Sequence, residues 1–142
     1  LRKGNVVHVF GGGMAWPAML DLESKLTEGG FGSCHIHESK DFSHGRFILV
    51  LSERAVGQPR IVIQVGDADG YDQLLYRTVG RFGPTVRIQS RRTGTMGSLE
   101  ALIGVQLLVQ RIGRELGIDP SRPSKIPEAG KRLYRWLPKS AD

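Results

Sequence analysis

Cysteine is almost absent from the chain. The lone Cys34 excludes an intramolecular disulfide framework and a multi-cysteine zinc site. No run of about 18 apolar residues is present, so no membrane-spanning helix is expected. The basic residues are spread out. The densest stretches are Arg87, Arg91 and Arg92, then Lys131, Arg132 and Arg135, and neither is a long basic run. No nucleic-acid-binding motif accompanies them. Internal repeats and low-complexity segments are lacking too. Gly11-Gly12-Gly13 is not a G-x-G-x-x-G fingerprint, because position 16 is Trp. It is not a nucleotide P-loop either, since no Gly-Lys-Ser/Thr follows.

What is present fits one compact α/β domain. The chain has 142 residues, and 39% of them are apolar, enough for a core without covalent staples. The formal net charge of +6 favours anionic partners such as phosphorylated metabolites. Neither a membrane nor nucleic acid is expected as a partner, and a cytoplasmic setting is. The chain starts at Leu1 rather than Met, which leads us to expect a processed protein or a piece of a longer one.

Asn5 to Phe10 reads as a buried strand closed by the glycine turn at 11–13. Pro17 suits the first turn of the helix that follows. Within Ala15 to Glu28, Ala15, Ala18 or Met19, Leu22 and Leu26 recur at helical spacing, and Gly29-Gly30 ends the helix. Cys34 to Glu38 forms a short strand and Asp41 to Phe47 a turn. The apolar run Phe47 to Leu51 is expected to be a strand, as are Arg60 to Val65 and Thr85 to Gln89. Tyr71 to Val79 is a short helix. A long helix, with Ser98 as its cap, spans Leu99 to Leu116. Its apolar stripe is Leu99, Leu102, Val105, Val109, Ile112 and Leu116, widened by Leu107 and Leu108. So broad a stripe implies burial on more than one side, as at a subunit interface. The expected fold is a three-layer α/β sandwich with a mainly parallel sheet flanked by helices, flavodoxin-like or Rossmann-like. It should occupy residues 1–117, with a Pro-rich arm at 118–142.

Several residues carry candidate chemistry. A glycine turn between strand and helix lets backbone amides approach a phosphate or carboxyl group. Lys25 and Glu28 lie one helical turn apart, either as an exposed ion pair or with Glu28 poised as a general base. His35 and His37 alternate on a strand and share a side. A metal there would need a third ligand such as Glu38 or Asp41, and nothing in the sequence requires a metal or other cofactor. His44 stands in a Ser-His-Gly turn, a setting that suits a catalytic imidazole.

In order, the segments VFGGG at 9–13, WPAMLDLESKLTE at 16–28, DFSHGRFILVL at 41–51, GVQLLVQRIGRELGIDPSRP at 104–123 and GKRLY at 130–134 resemble the sugar isomerase (SIS) domain. The likeness is to the second SIS half of the glucosamine-6-phosphate synthase isomerase group. It implies a K-x-x-E motif with Glu28 as the base that shifts a proton between sugar C1 and C2, and with Lys25 shaping the site. It implies that His44 assists ring opening from across a subunit interface. A tail lysine, Lys125 or Lys131, would complete the site, and Gly11, Gly12 and Gly13 would bind substrate. The implied ligand is a sugar phosphate such as fructose 6-phosphate or glucose 6-phosphate. The implied assembly is a homodimer or a pairing with another SIS half. One departure stands out. The Ser/Thr-rich S-x-S-G-x-T phosphate loop of SIS proteins is missing, and Glu53-Arg54-Ala55 follows Ser52 after the apolar run.

Overall fold

The computed structural model describes residues 5–52, 56–66 and 70–119. Four strands form one wholly parallel sheet: β1 (Asn5–Gly11), β2 (Gly32–Glu38), β3 (Arg60–Val65) and β4 (Thr85–Ser90). Their order is β2-β1-β3-β4. In register, His8 lies opposite both His35 and Arg60, and Phe10 lies opposite both His37 and Val62. The expected α/β sandwich is the fold observed.

Helices α1 (Trp16–Glu28) and α5 (Gly94–Leu116) cover one face. There Val7, Val9, Ile61 and Ile63 meet Ala18, Met19, Leu22 and Leu26 of α1 and Ala101, Val105 and Val109 of α5. The period-2 strand pattern and the i, i+3, i+4 helix pattern thus close over one core. The other face carries Phe10 and Val62, which pack with Phe42, Val50, Leu75 and Val79. Leu75 and Val79 belong to α4 (Gly70–Gly80). Central strands β1 and β3 are buried on both faces, which is why they read as nearly continuous apolar runs.

Two expectations are corrected. Phe47 to Leu51 is not a strand: Phe47–Val50 is a short helix, α3. A short apolar run cannot be told from a helical segment by periodicity. Here the place beside β1 is taken by β3, and α3 turns Val50 inward while Phe47 and Ile48 stay exposed. The segment before it is also helical. Ser39–Asp41 forms one turn, α2, and a kinked stretch at Phe42–Arg46 follows. The kink falls at His44-Gly45, where Gly45 has φ +127°, a conformation reserved in practice for glycine.

The second correction concerns the long helix. It begins at Gly94 with Thr93 at the N-cap position, so Ser98 is a buried interior residue rather than the cap. Its buried line runs through Gly97, Ala101, Val105, Val109 and Ile112, whereas Leu99 and Leu107 face outward. Gly117, at φ +65°, ends it with the left-handed cap expected of glycine. The arm beyond residue 119 lies outside the described residues. No helix among the described residues is long and apolar enough to cross a membrane.

Candidate functional site

All four strands point their C-terminal ends to one edge of the sheet. Chain direction reverses there: α1 carries the chain from β1 outward to β2, while β3 lies on the other side of β1. In open α/β sheets this switch point forms a crevice. A cleft of about 300 Å³ occupies it, lined by Gly12, Gly13, Glu38, Ser39, Gln64 and Tyr71, among others.

Each glycine of the turn has its own reason. A Cβ on Gly11 would lie 2.7 Å from the Ile63 carbonyl oxygen and from Met19 Sδ. A Cβ on Gly12 would lie 2.6 Å from Glu38 Oε1. Gly13 has φ +53° and opens the short 3-10 turn Gly13–Ala15 that leads into α1. The orphan N–H groups at the start of a helix therefore face this edge, where the macrodipole favours negative charge.

The opposite wall is hydrogen-bonded. Glu38 ends β2 and caps α2, its Oε2 accepting from the N–H groups of Lys40 at 2.8 Å and Asp41 at 3.0 Å. The Tyr71 hydroxyl donates to the Ser39 carbonyl, tying the first turn of α4 to the end of β2. Gln64 on β3 donates from Nε2 to the Asp72 carbonyl at 2.9 Å and accepts from Arg87 Nε at 2.5 Å. Arg87 in turn stands over the Tyr76 ring, 5.1 Å from its centroid. The result is a small concave site with backbone donors on one side and a fixed carboxylate, hydroxyl and amide on the other. Such a set suits a polyhydroxylated ligand with an anionic group.

Strands β1 and β2 also carry a buried imidazole pair. His8 Nδ1 and His37 Nε2 are 2.9 Å apart, and His8 Nε2 is 2.6 Å from Gln58 Oε1. Gln58 Oε1 accepts, so His8 carries its proton on Nε2 and accepts at Nδ1 from His37 Nε2–H. His37 Nδ1 is then a buried lone pair, without a partner among the described residues. His37 stacks on Phe10 at 4.9 Å and meets Phe42 edge-on. Burial, with His8, His35 and Arg46 nearby, pushes the His37 pKa down to about 4. Burial also lowers that of His8, although the Gln58 hydrogen bond opposes the shift. Among the described residues no group of three or more His, Cys, Asp or Glu is placed to hold a metal. Burial pushes the Cys34 thiol up to about 12, which leaves it a poor nucleophile near neutral pH.

The residues singled out from sequence are placed as follows. Gly12 and Gly13 line one side of the cleft, while Gly11 packs against Ile63 and Met19 and is not part of its lining. Lys25 is half-buried and pairs with Asp21 at 3.4 Å, not with Glu28. Glu28 is exposed at the last position of α1 and accepts from Ser24 Oγ at 2.9 Å. A 13-residue helix is about 20 Å long, so within one chain Glu28 and the cleft lie at opposite ends of α1. His44 is exposed at the kink after α2. Lys125 and Lys131 lie outside the described residues. The sequence reading missed Ser39, Gln64 and Tyr71 as site residues and weighed Glu38 only as a metal ligand. For Glu38, Ser39 and Gln64 the one available signal was position, at or just after the end of a strand; Tyr71 lies in the first turn of α4 and had none.

No protein-family model matches the chain, and no curated protein matches it in sequence. Solved structures do match. A proposed phosphosugar isomerase from Silicibacter pomeroyi superposes with a TM-score of 0.64 at 18% identity, over 81% of this chain and 38% of its own. The fold is SIS-like. Glucosamine-6-phosphate deaminase from Thermotoga maritima matches at TM-score 0.63 and 15% identity, over 88% of this chain and 40% of its own. A proposed phosphosugar isomerase involved in capsule formation, from Bacteroides fragilis, matches at 0.62 and 12%, over 89% of this chain and 78% of its own. The chain therefore spans about two-fifths of the first two structures and over three-quarters of the third.

Proposed function

We propose that this SIS-like chain is a phosphosugar-binding domain of a sugar-phosphate isomerase or deaminase. Its ligand is a hexose phosphate such as fructose 6-phosphate or glucose 6-phosphate. The observation that carries the reading is the cleft at the β1–β3 switch point, where Gly12 and Gly13 leave backbone donors open opposite Glu38, Ser39 and Tyr71. Its support is a fold shared with proteins named for phosphosugar chemistry.

Aldose–ketose interconversion moves a proton between C1 and C2 through an enediolate. It needs a base beside those carbons and acid–base help to open the ring. In the proposed mechanism Glu28 is that base, Lys25 shapes its surroundings and His44 assists ring opening. Because Glu28 and His44 are exposed, they act where a second SIS unit covers them and excludes water. The arm from residue 118 onward contributes Lys125 or Lys131. A non-catalytic sensing or structural module is the second reading. It is favoured by the ~20 Å that separates Glu28 from the cleft in one chain.

Calorimetry with fructose 6-phosphate and glucose 6-phosphate, alongside turnover assays of the wild type and Glu28→Gln, tests both. Binding with turnover that Glu28→Gln abolishes supports the enzyme. Binding without turnover supports the sensor. Turnover unchanged by Glu28→Gln removes that residue from the mechanism, and the absence of any binding defeats both ligand-binding readings.

A further inference from the structure

A second cavity, of about 410 Å³, lies at the outer edge of the sheet, lined by Cys34, His35, Ile36, His37 and Arg46. It shares no lining residue with the cleft. Strand β2 is an edge strand, paired only with β1 among the described residues. Its side chains alternate between the two faces. Cys34 and Ile36 pack against the core on the α1 side, whereas His35 and His37 turn to the face of His8, Phe10 and Phe42. A space that touches all four therefore wraps around the free edge of β2.

Part of its lining is an unused acceptor. His37 is only 5% exposed, and its Nδ1 has no hydrogen-bond partner among the described residues. Its Nε2 is engaged by His8 of β1 at 2.9 Å. The two nitrogens of an imidazole point in widely divergent directions. With Nε2 turned toward β1, Nδ1 is turned toward the free edge, where the cavity is. Burial, then His8, His35 and Arg46, hold the His37 pKa down at about 4, so near neutral pH it stays an acceptor. The lining also carries a cation. Arg46 ends the kinked stretch after α2, is exposed, and forms no ion pair among the described residues.

A buried lone pair and a guanidinium in one cavity call for a ligand that is an anion and still has a proton to donate. A metal ion would suit the lone pair but would be repelled by the guanidinium. Carboxylates have lost their proton well below neutral pH, at about pH 4. Sulfate carries none either. A phosphate monoester gives up its last proton only at about pH 6, so near that pH it presents both P–OH and P–O⁻. We propose that this edge cavity binds a hydrogen-phosphate group, its P–OH donating to His37 Nδ1 and its P–O⁻ accepting from Arg46. The group is either free phosphate or the head of a small monoester, for which the volume leaves room. The site is separate from the sugar-phosphate cleft and does not rest on the function read from it.

NMR of the full chain at about pH 6.5 and constant ionic strength, titrated with inorganic phosphate, methyl phosphate and sulfate, tests the site. We expect saturable shifts at the amides of His35, His37 and Arg46 and at the His37 Nδ1 resonance with at least one of the two phosphates. Sulfate should bind on the order of tenfold more weakly or worse, because it leaves the lone pair unmet. Tighter binding of methyl phosphate assigns the site to a monoester, and tighter binding of inorganic phosphate assigns it to the free ion. Arg46→Gln, on an exposed side chain, should weaken phosphate by about tenfold. His37→Phe should abolish the preference for phosphate over sulfate. Equal affinity for phosphate and sulfate in the wild type would overturn the proposal by reducing the site to a cationic patch. Phosphate shifts confined to Gly12 and Gly13, or none at tens of millimolar, would overturn it too, as would an unchanged affinity in Arg46→Gln. If His37→Phe fails to fold, the wild-type phosphate-to-sulfate ratio and Arg46→Gln decide the matter. The cleft amides report sugar-phosphate binding separately, so failure of this site and failure of the cleft assignment are distinguishable.

Discussion

Mild acid should destabilise this domain chiefly through His37. In the folded chain its pKa is about 4, whereas an unfolded histidine titrates near 6.5. Between those values the unfolded state binds the proton and the folded state does not, so stability falls as pH falls. The contribution is fully present above pH 6.5 and is lost progressively as the pH drops toward 4. Integrated from about pH 7.5 to 5, the loss is about 2 kcal/mol, a large part of a small domain's stability. The cause is structural. A proton added at Nδ1 creates a buried cation among Phe10 and Phe42, with His8, His35 and Arg46 opposing it. Urea denaturation at pH 7.5 and pH 5.0 measures the slope. His37→Phe keeps an aromatic ring on Phe10 and removes this titration, so most of the pH difference should vanish, leaving the smaller share from His8. Equal pH slopes in the wild type and His37→Phe would refute the reasoning, as would an NMR titration placing His37 above pH 6.

Other substitutions probe the cleft and its frame. Gly11→Ala forces a Cβ to 2.7 Å from the Ile63 carbonyl, so denaturation should show a loss of about 1–3 kcal/mol from overpacking. Gly12→Ala displaces Glu38 Oε1 instead, a side-chain end that can move. The melting temperature should shift little, while affinity for a hexose phosphate drops by about tenfold in calorimetry, or ~1.4 kcal/mol. Tyr71→Phe removes the hydrogen bond to the Ser39 carbonyl and should cost about 1 kcal/mol in urea denaturation. Glu28→Gln, on an exposed helix end, should leave stability within about 0.5 kcal/mol while abolishing any isomerase turnover.

Much of this architecture was legible in the residues. NVVHVF, the glycine turn and the helical spacing of Ala18, Leu22 and Leu26 define a strand, turn and helix whose buried positions are those the pattern marks. Phe47 to Leu51 was misread because a short apolar run fits a strand or a helical turn equally well, and only the seating of β3 beside β1 decides between them. The stripe on α5 was drawn nearly right: Val105, Val109 and Ile112 are buried and Leu102, Leu108 and Leu116 pack on the core, while Leu99 and Leu107 are exposed. Ala101 sits on the buried line with Gly97, Val105 and Val109, and a small apolar residue adds too little to the pattern to mark that line from sequence. The cleft was half visible. The glycine turn marks one wall by itself, whereas Ser39, Gln64 and Tyr71 come from three segments that only the parallel sheet order brings together. Nothing in local spacing distinguishes them from surface polar residues. The His8–His37 pair was hidden for the same reason, since its members lie on adjacent strands 29 residues apart in sequence.

The most direct measurement is an NMR titration of the full chain with fructose 6-phosphate. The account predicts saturable shifts concentrated at the amides of Gly12, Gly13, Ser39 and Tyr71, and much weaker shifts in Gly12→Ala. Saturable binding that leaves those amides unmoved, or no binding at millimolar sugar phosphate, would contradict it.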